Sequence, residues 1–210
     1  GGSINLVTMR AKKGNSLSGT ASASTPLGGR LTADGNYMLT DNAAVRLNVM
    51  AEDSEVAGRD EVYNSAIGFA PSFTWGLERD TRVSLSLYHM QTDDMPDYGI
   101  PYDTRTGQPA AVDRNNFYGL TNRDFQKTQE DSMTLDLEHD VSDRYTIRNV
   151  TRYKWSENDY IVTNPDDSRG NVVNGRVWRN TKSRNADSEV LSNQTDLSGE
   201  FETGGLKHSF

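Results

Sequence analysis

The sequence predicts an all-β fold, the wall of an antiparallel, up-and-down transmembrane β-barrel with about eight strands. Three observations lead there. Apolar and polar residues alternate along most of the 210 positions, and period-two alternation sends one residue set to each face of a strand. The apolar fraction is only 34% and mean hydropathy is −0.75, yet aromatics reach 9%. A wall with one lipid face and one wet face has this balance, because averaging hides the lipid side. Connections also sort by length: short around Asp41, Asp80, Ser142 and Gly204, long around Gly58, Gly107 and Gly170, with Gly28 out of step. Short turns on one rim and long loops on the other mark this architecture.

Gly1 to Met9 reads as a short strand entered through a glycine pair, and Arg10 to Asn15 as a basic connector. Leu17, Gly19, Ala21 and Ala23 alternate with Ser18, Thr20 and Ser22 in a weak strand that ends at a Pro26–Gly29 turn. Leu31, Ala33, Tyr37 and Leu39 share a face opposite Arg30, Thr32, Asp34 and Asn36. After a tight turn at Thr40–Asn42, Val45, Leu47 and Val49 oppose Arg46 and Asn48. Ile67, Phe69, Phe73 and Trp75 form the next apolar face, with Pro71 expected at a bend or bulge.

Val83, Leu85 and Leu87 alternate with serines, and Met133, Leu135 and Leu137 with Thr134 and Asp136. Roughly forty residues separate these two runs, far more than a compact connection needs. That stretch holds Tyr98, Tyr102, Phe117, Tyr118 and Phe125, too many aromatics for a solvated linker, so it should fold on itself. Tyr145, Ile147, Tyr153 and Trp155 then oppose Arg148, Arg152 and Lys154, with Val150 breaking the pattern. Leu191, Leu197 and Phe201 follow, and Leu206 opens a last strand. The long loops are expected near residues 52–63, 91–131 and 162–186.

Several classes drop out on composition. No run of about 18 apolar residues exists, so a transmembrane helix is excluded. The net charge of −8 argues against a nucleic-acid partner, which needs a basic face. Cysteine is absent, so there is neither a disulfide framework nor a thiolate metal site. The chain starts without Met and reads as cut within elements at both ends, so an excerpt of a longer protein is expected.

Gly1-Gly2-Ser3-Ile4-Asn5-Leu6-Val7-Thr8 resembles the strand that ends the plug of TonB-dependent siderophore receptors, with Met9-Arg10 where members usually continue with Lys. Pro96-Asp97-Tyr98-Gly99-Ile100-Pro101 and Asn116-Phe117-Tyr118-Gly119-Leu120 resemble the catecholate-type branch. Gly68 to Phe73, Glu138-His139, Arg148 to Tyr153 and Lys207-His208-Ser209 are similar too, in family order. The resemblance implies an outer-membrane barrel of about 22 strands around an N-terminal plug, importing ferric siderophores with energy passed on by TonB. Residues 1–10 would be the last plug strand, and 11–210 the first part of the barrel in a Gram-negative outer membrane.

A ferric catecholate is bulky, aromatic and anionic, so capture calls for aromatic faces and cations and no direct protein ligand to iron. The expected contacts are Tyr98, Tyr102, Arg105, Arg114, Phe117 and Tyr118. Internal loop packing is the plainer role for the same aromatics, and Asp94, Asp97, Asp103 and Asp113 are expected to pair with the arginines. Arg46, Arg148, Arg152 and Lys154 should face the lumen and satisfy Asp34, Asp136 and Glu138. Tyr37, Trp75, Tyr153 and Trp155 suit aromatic girdles. His89, His139 and His208 lie on separate strands, and Asp93-Asp94 and Asp166-Asp167 read as solvated runs, so no metal site is expected. No catalytic motif and no cofactor are expected; iron travels as cargo. The competing readings are a complete small barrel with a structural or adhesion role, an outer-membrane hydrolase and a soluble β-sandwich.

Overall fold

The computed structural model describes residues 8–166, 168 and 172–210, so Gly1 to Val7, Asp167 and Gly170 lie outside the described residues. Nine strands form one antiparallel sheet: β1 (Ser16–Ser24), β2 (Gly28–Thr40), β3 (Ala43–Glu55), β4 (Tyr63–Trp75), β5 (Thr81–Asp94), β8 (Phe125–Ser142), β9 (Tyr145–Pro165), β10 (Arg179–Thr203) and β11 (Leu206–Ser209). A two-stranded hairpin, β6 (Tyr102–Asp103) and β7 (Gln108–Pro109), sits inside the longest loop. The large sheet runs in chain order from β1 to β11, so every neighbour is also the sequence neighbour. That order is linear, which argues against the complete small barrel.

The two faces divide as the alternation requires. Leu47, Ile67, Phe69, Phe73 and Trp75 stand exposed on one side, while Asn36, Arg46, Ser72, Thr74 and Ser84 are buried on the other. Buried apolar side chains among the described residues are few and mostly small: Ala11, Ala43, Ala44, Val62, Met95, Ala110 and Val162. The bulky aliphatics therefore gather in no closed centre, as a soluble sandwich would demand. Tyr37 and Trp75 lie toward the short-turn rim, whereas Tyr153 lies further along the apolar face, level with Met133 and Leu87.

Short turns set the register on one rim. Gly76, at φ +84°, turns the chain after β4, and a Cβ there would lie 2.0 Å from the Thr81 carbonyl oxygen. Its N–H and that of Leu77 both donate to the Asn42 carbonyl (2.9 and 3.0 Å), joining two neighbouring turns.

Two expectations need correction. Pro71 makes no bulge: its ladder to β3 is continuous, and toward β5 the pairing only skips Ala70 and Pro71 before resuming in register. The register shifts lie instead at Met38/Thr40 and Asp140/Ser142, beside short turns. The sheet's nine strands, counting the four-residue β11, agree with the expected eight or so, but the loops shrink to 56–62, 95–124 and 166–178. Beyond the lipid both faces of a strand are wet, so alternation disappears while the backbone ladder continues.

Candidate functional site

Loop 95–124 is tied down on both sides. On one side Arg59 grips Asp97 with two contacts, Nε–Oδ2 at 2.6 Å and Nη2–Oδ1 at 2.8 Å, and also donates to the Arg114 carbonyl. The Asp60 N–H donates to the Asn115 carbonyl at 2.8 Å. This bidentate pair holds the Arg59 guanidinium above its usual range. On the other side the buried Asp124 carboxylate accepts the N–H of Leu120 (3.0 Å) and the N–H and hydroxyl of Thr163 (2.8 and 2.9 Å). Arg123 donates to Thr163 and Thr181, and Arg179 to the carbonyls of Tyr118 and Gly119. The loop is a plate fastened at its edges.

The six expected contact residues fall into separate local groups on that plate. Tyr98 is exposed, and Lys182 Nζ stands 5.8 Å from its ring centroid. Tyr102 and Arg105 belong to the β6–β7 hairpin, where Arg105 holds Asp103 at 3.2–3.3 Å and keeps that carboxyl below its usual range. Arg114 reaches back beside Gly58. Phe117 is half-buried against Gly119, and Tyr118 accepts from Asn116 at 3.4 Å. Asp97 and Asp103 thus pair with arginines as expected, whereas Asp94 accepts the Ser65 N–H (3.2 Å) and Asp113 the Asn115 N–H (2.9 Å).

Sequence reasoning missed the cations of β10 and of the segment before it. Arg176, Arg179, Lys182 and Arg184 occupy a stretch with no carboxylate between Asp167 and Asp187, in a chain whose net charge is −8. That segregation was the available signal. Lys182 and Arg184 lie opposite Val162 and Tyr160 in the ladder, on the same face as the buried Asp136 and its partner Arg148.

Deeper on this face lies a second constellation. The segment from Met9 to Asn15 forms no ladder; wall side chains hold its backbone. Ala11 N–H donates to Ser72 Oγ (2.9 Å), Lys12 N–H to Asn36 Oδ1 (3.0 Å), and Asn36 returns its amide to the Lys12 and Gly14 carbonyls. Arg46 bonds Asp34 and the Arg10 carbonyl. Arg10 itself reaches Asp136, 3% exposed, which also takes Arg148. Arg152 donates to Thr134, and Lys154 pairs with Glu130 at 2.8 Å. Buried polar groups at this density need such mutual satisfaction. Among the described residues no group of three or more His, Asp or Glu converges to hold a metal.

No family model matches the chain. Among curated proteins it is 45% identical over 216 residues to the "Probable TonB-dependent siderophore receptor PiuA" of Acinetobacter baumannii, covering 100% of this chain and 29% of the relative. It is 35% identical over 226 residues to the "Catecholate siderophore receptor Fiu" of Escherichia coli, covering 99% and 30%. The chain belongs to the TonB-dependent receptor family. Two solved structures match its shape. The crystal structure of PiuA gives a TM-score of 0.89 at 44% identity over 95% of this chain and 29% of its own. The closed form of Fiu gives 0.91 at 32% identity over 99% and 32%. The chain thus spans about 29% of the length of the first relative it matches. Membership of this receptor family makes the exposed apolar face the lipid side of an outer-membrane barrel wall, and the buried polar face its lumen.

Proposed function

We propose that this chain is the first part of the barrel wall of a ferric siderophore receptor, most suited to catecholate cargo and energised through TonB. Residues 1–10 carry the end of the plug, and wall strands follow from β1. The relatives are receptors rather than enzymes, and the geometry suits capture and passage without covalent chemistry. The reading rests chiefly on one observation: a lumen-facing cation, Lys182, parked over the exposed ring of Tyr98 at the rim. An anionic catecholate complex meets both needs there, stacking on the ring and neutralising Lys182 and Arg184. Tyr102, Arg105, Arg114, Phe117 and Tyr118 complete the surface of the plate.

The test is Lys182→Glu/Arg184→Glu in a full-length receptor that contains this chain. Ferric catecholate binding to whole cells should fall at least about tenfold, roughly 1.4 kcal/mol, with unchanged amounts of inserted barrel. Equal binding by the variant would remove the proposed site.

A further inference from the structure

The lipid face of this wall carries polar pairs where hydrocarbon should meet only apolar groups, and their positions follow the length of the connections. On β9–β10, Asn149 lies directly opposite Thr195, and Thr151 directly opposite Asn193. Asn149 Nδ2 donates to Thr195 Oγ1 (2.7 Å) and Asn193 Oδ1 (3.2 Å); Asn193 Nδ2 donates to Thr151 Oγ1 (2.7 Å) and Asn149 Oδ1 (3.1 Å). Both amides thus spend both N–H groups inside the block. Ile147 and Leu197 flank it on one side, Tyr153 and Leu191 on the other. On the same side of β5–β8, but at and beyond the ends of the apolar run Val83–Leu85–Leu87, Thr81, His89 and Asp93 each contact the residue directly opposite: His139 (2.9 Å), Asp131 (2.7 Å) and Lys127 (3.1 Å).

Among the described residues, no side-chain hydrogen bond joins directly opposed residues on this face of the other ladders. Opposed lipid-side positions on β2–β3 include Tyr37–Val45 and Leu31–Ala51; on β4–β5 they include Phe73–Leu85 and Trp75–Val83. Leu137–Asn149 and Met133–Tyr153 on β8–β9 are not hydrogen-bonded pairs. These strands are joined by short turns. The β3–β4 ladder, also apolar at Val49–Phe69, continues into its loop through Val56 N–H to Val62 O at 2.9 Å. Only β5–β8 and β9–β10 are joined by the loops 95–124 and 166–178.

We propose that the Asn149/Thr151/Asn193/Thr195 block is a register key for β9–β10, whose connection is too long to set the register. Alternation forbids a slip of one residue, which would turn every apolar side chain to the lumen. It does not forbid a slip of two. A tight turn supplies the missing constraint elsewhere; a long loop supplies none. Slipping β10 by two puts Asn149 opposite Leu197, or Thr151 opposite Leu191, and strands amide or hydroxyl groups in hydrocarbon. No water is there to satisfy them. The matched block is tolerated because it is satisfied, and each slipped one is penalised.

The chain has no cysteine, so engineered disulfides report the register without background. In a full-length receptor, Ser156→Cys with Ser188→Cys reads the native register, and Ser156→Cys with Ala186→Cys or Val190→Cys reads the two slips. With the native block, only the first pair should cross-link. In Asn149→Leu/Thr151→Val/Asn193→Leu/Thr195→Val, at least about a tenth of chains should cross-link in a slipped pair. The swapped block Asn149→Thr/Thr195→Asn with Thr151→Asn/Asn193→Thr should stay native. Asn193→Leu alone carries the same expectation as the apolar block if that variant fails to insert. Native cross-links alone in the apolar variants, or slipped ones in the swapped block, would overturn the proposal.

Discussion

Arg59 and Asp97 face each other across two loops, 38 positions apart in sequence and joined by two nitrogen–oxygen contacts of 2.6 and 2.8 Å. The guanidinium is 13% and the carboxylate 16% exposed, so water screens the pair little. It converts two separate loops into one surface.

Breaking it should release the plate. Arg59→Ala leaves Asp97 with only the Gly99 N–H and strips the Arg114 carbonyl of the guanidinium, a local cost of about 2 kcal/mol. Limited proteolysis of the intact receptor should then cut within 95–124 at least about tenfold faster, while the transmembrane wall stays resistant. An unchanged cleavage rate would show that the Asp124 side alone holds the loop.

Asp124→Ala attacks the opposite edge. It strips the acceptor from Leu120 N–H, Thr163 N–H and the Thr163 hydroxyl at a site where water has little access. A loss of about 2–4 kcal/mol in local stability follows from stranding buried donors. Hydrogen exchange at Leu120 and Thr163 should accelerate together; acceleration at only one would mean that the carboxylate is not the shared hub.

In the lumen, Asp136→Ala removes the carboxylate from Arg10 and leaves Arg148 only its longer contact to Glu138 at 3.9 Å. Removing one member of a buried ion pair costs about 3–5 kcal/mol when burial is complete, and less here because Arg148 is partly exposed. Exchange protection of the Arg10–Gly14 backbone should fall, with the outer wall unaffected. Protection that persists would mean Asn36, Arg46 and Ser72 suffice to hold this segment.

The two faces can be told apart energetically. Val49→Arg places a charge on the lipid side and should cost about 2–4 kcal/mol near the midplane. Asn48→Arg, its neighbour on the lumen side, should stay within about 1 kcal/mol. Denaturant titration of the folded receptor in lipid vesicles distinguishes them, and equal costs would contradict the assignment of faces.

Much of the wall was legible because its signal is local. Phe69, Phe73 and Trp75 name their face two residues at a time, and the pairing of Arg46 with Asp34 and Arg148 with Asp136 follows once neighbouring strands are aligned. The loop boundaries were less legible. Arg179 to Ser183 carries no alternation, yet it pairs with Ile161 to Pro165, because backbone hydrogen bonds do not require an apolar face. Lys182 was hidden for the same reason, inside what read as a polar connection.

Alternation by itself determined that each strand has an apolar side and a polar side, since side-chain direction along a strand depends only on odd or even position. Tertiary structure alone decided what meets on the wet side and at the rim. Arg10 finds Asp136 across the curved sheet, Lys182 finds Tyr98, and Arg59 finds Asp97. Those meetings depend on strand order, register and the path of long loops, quantities that no period in the sequence encodes.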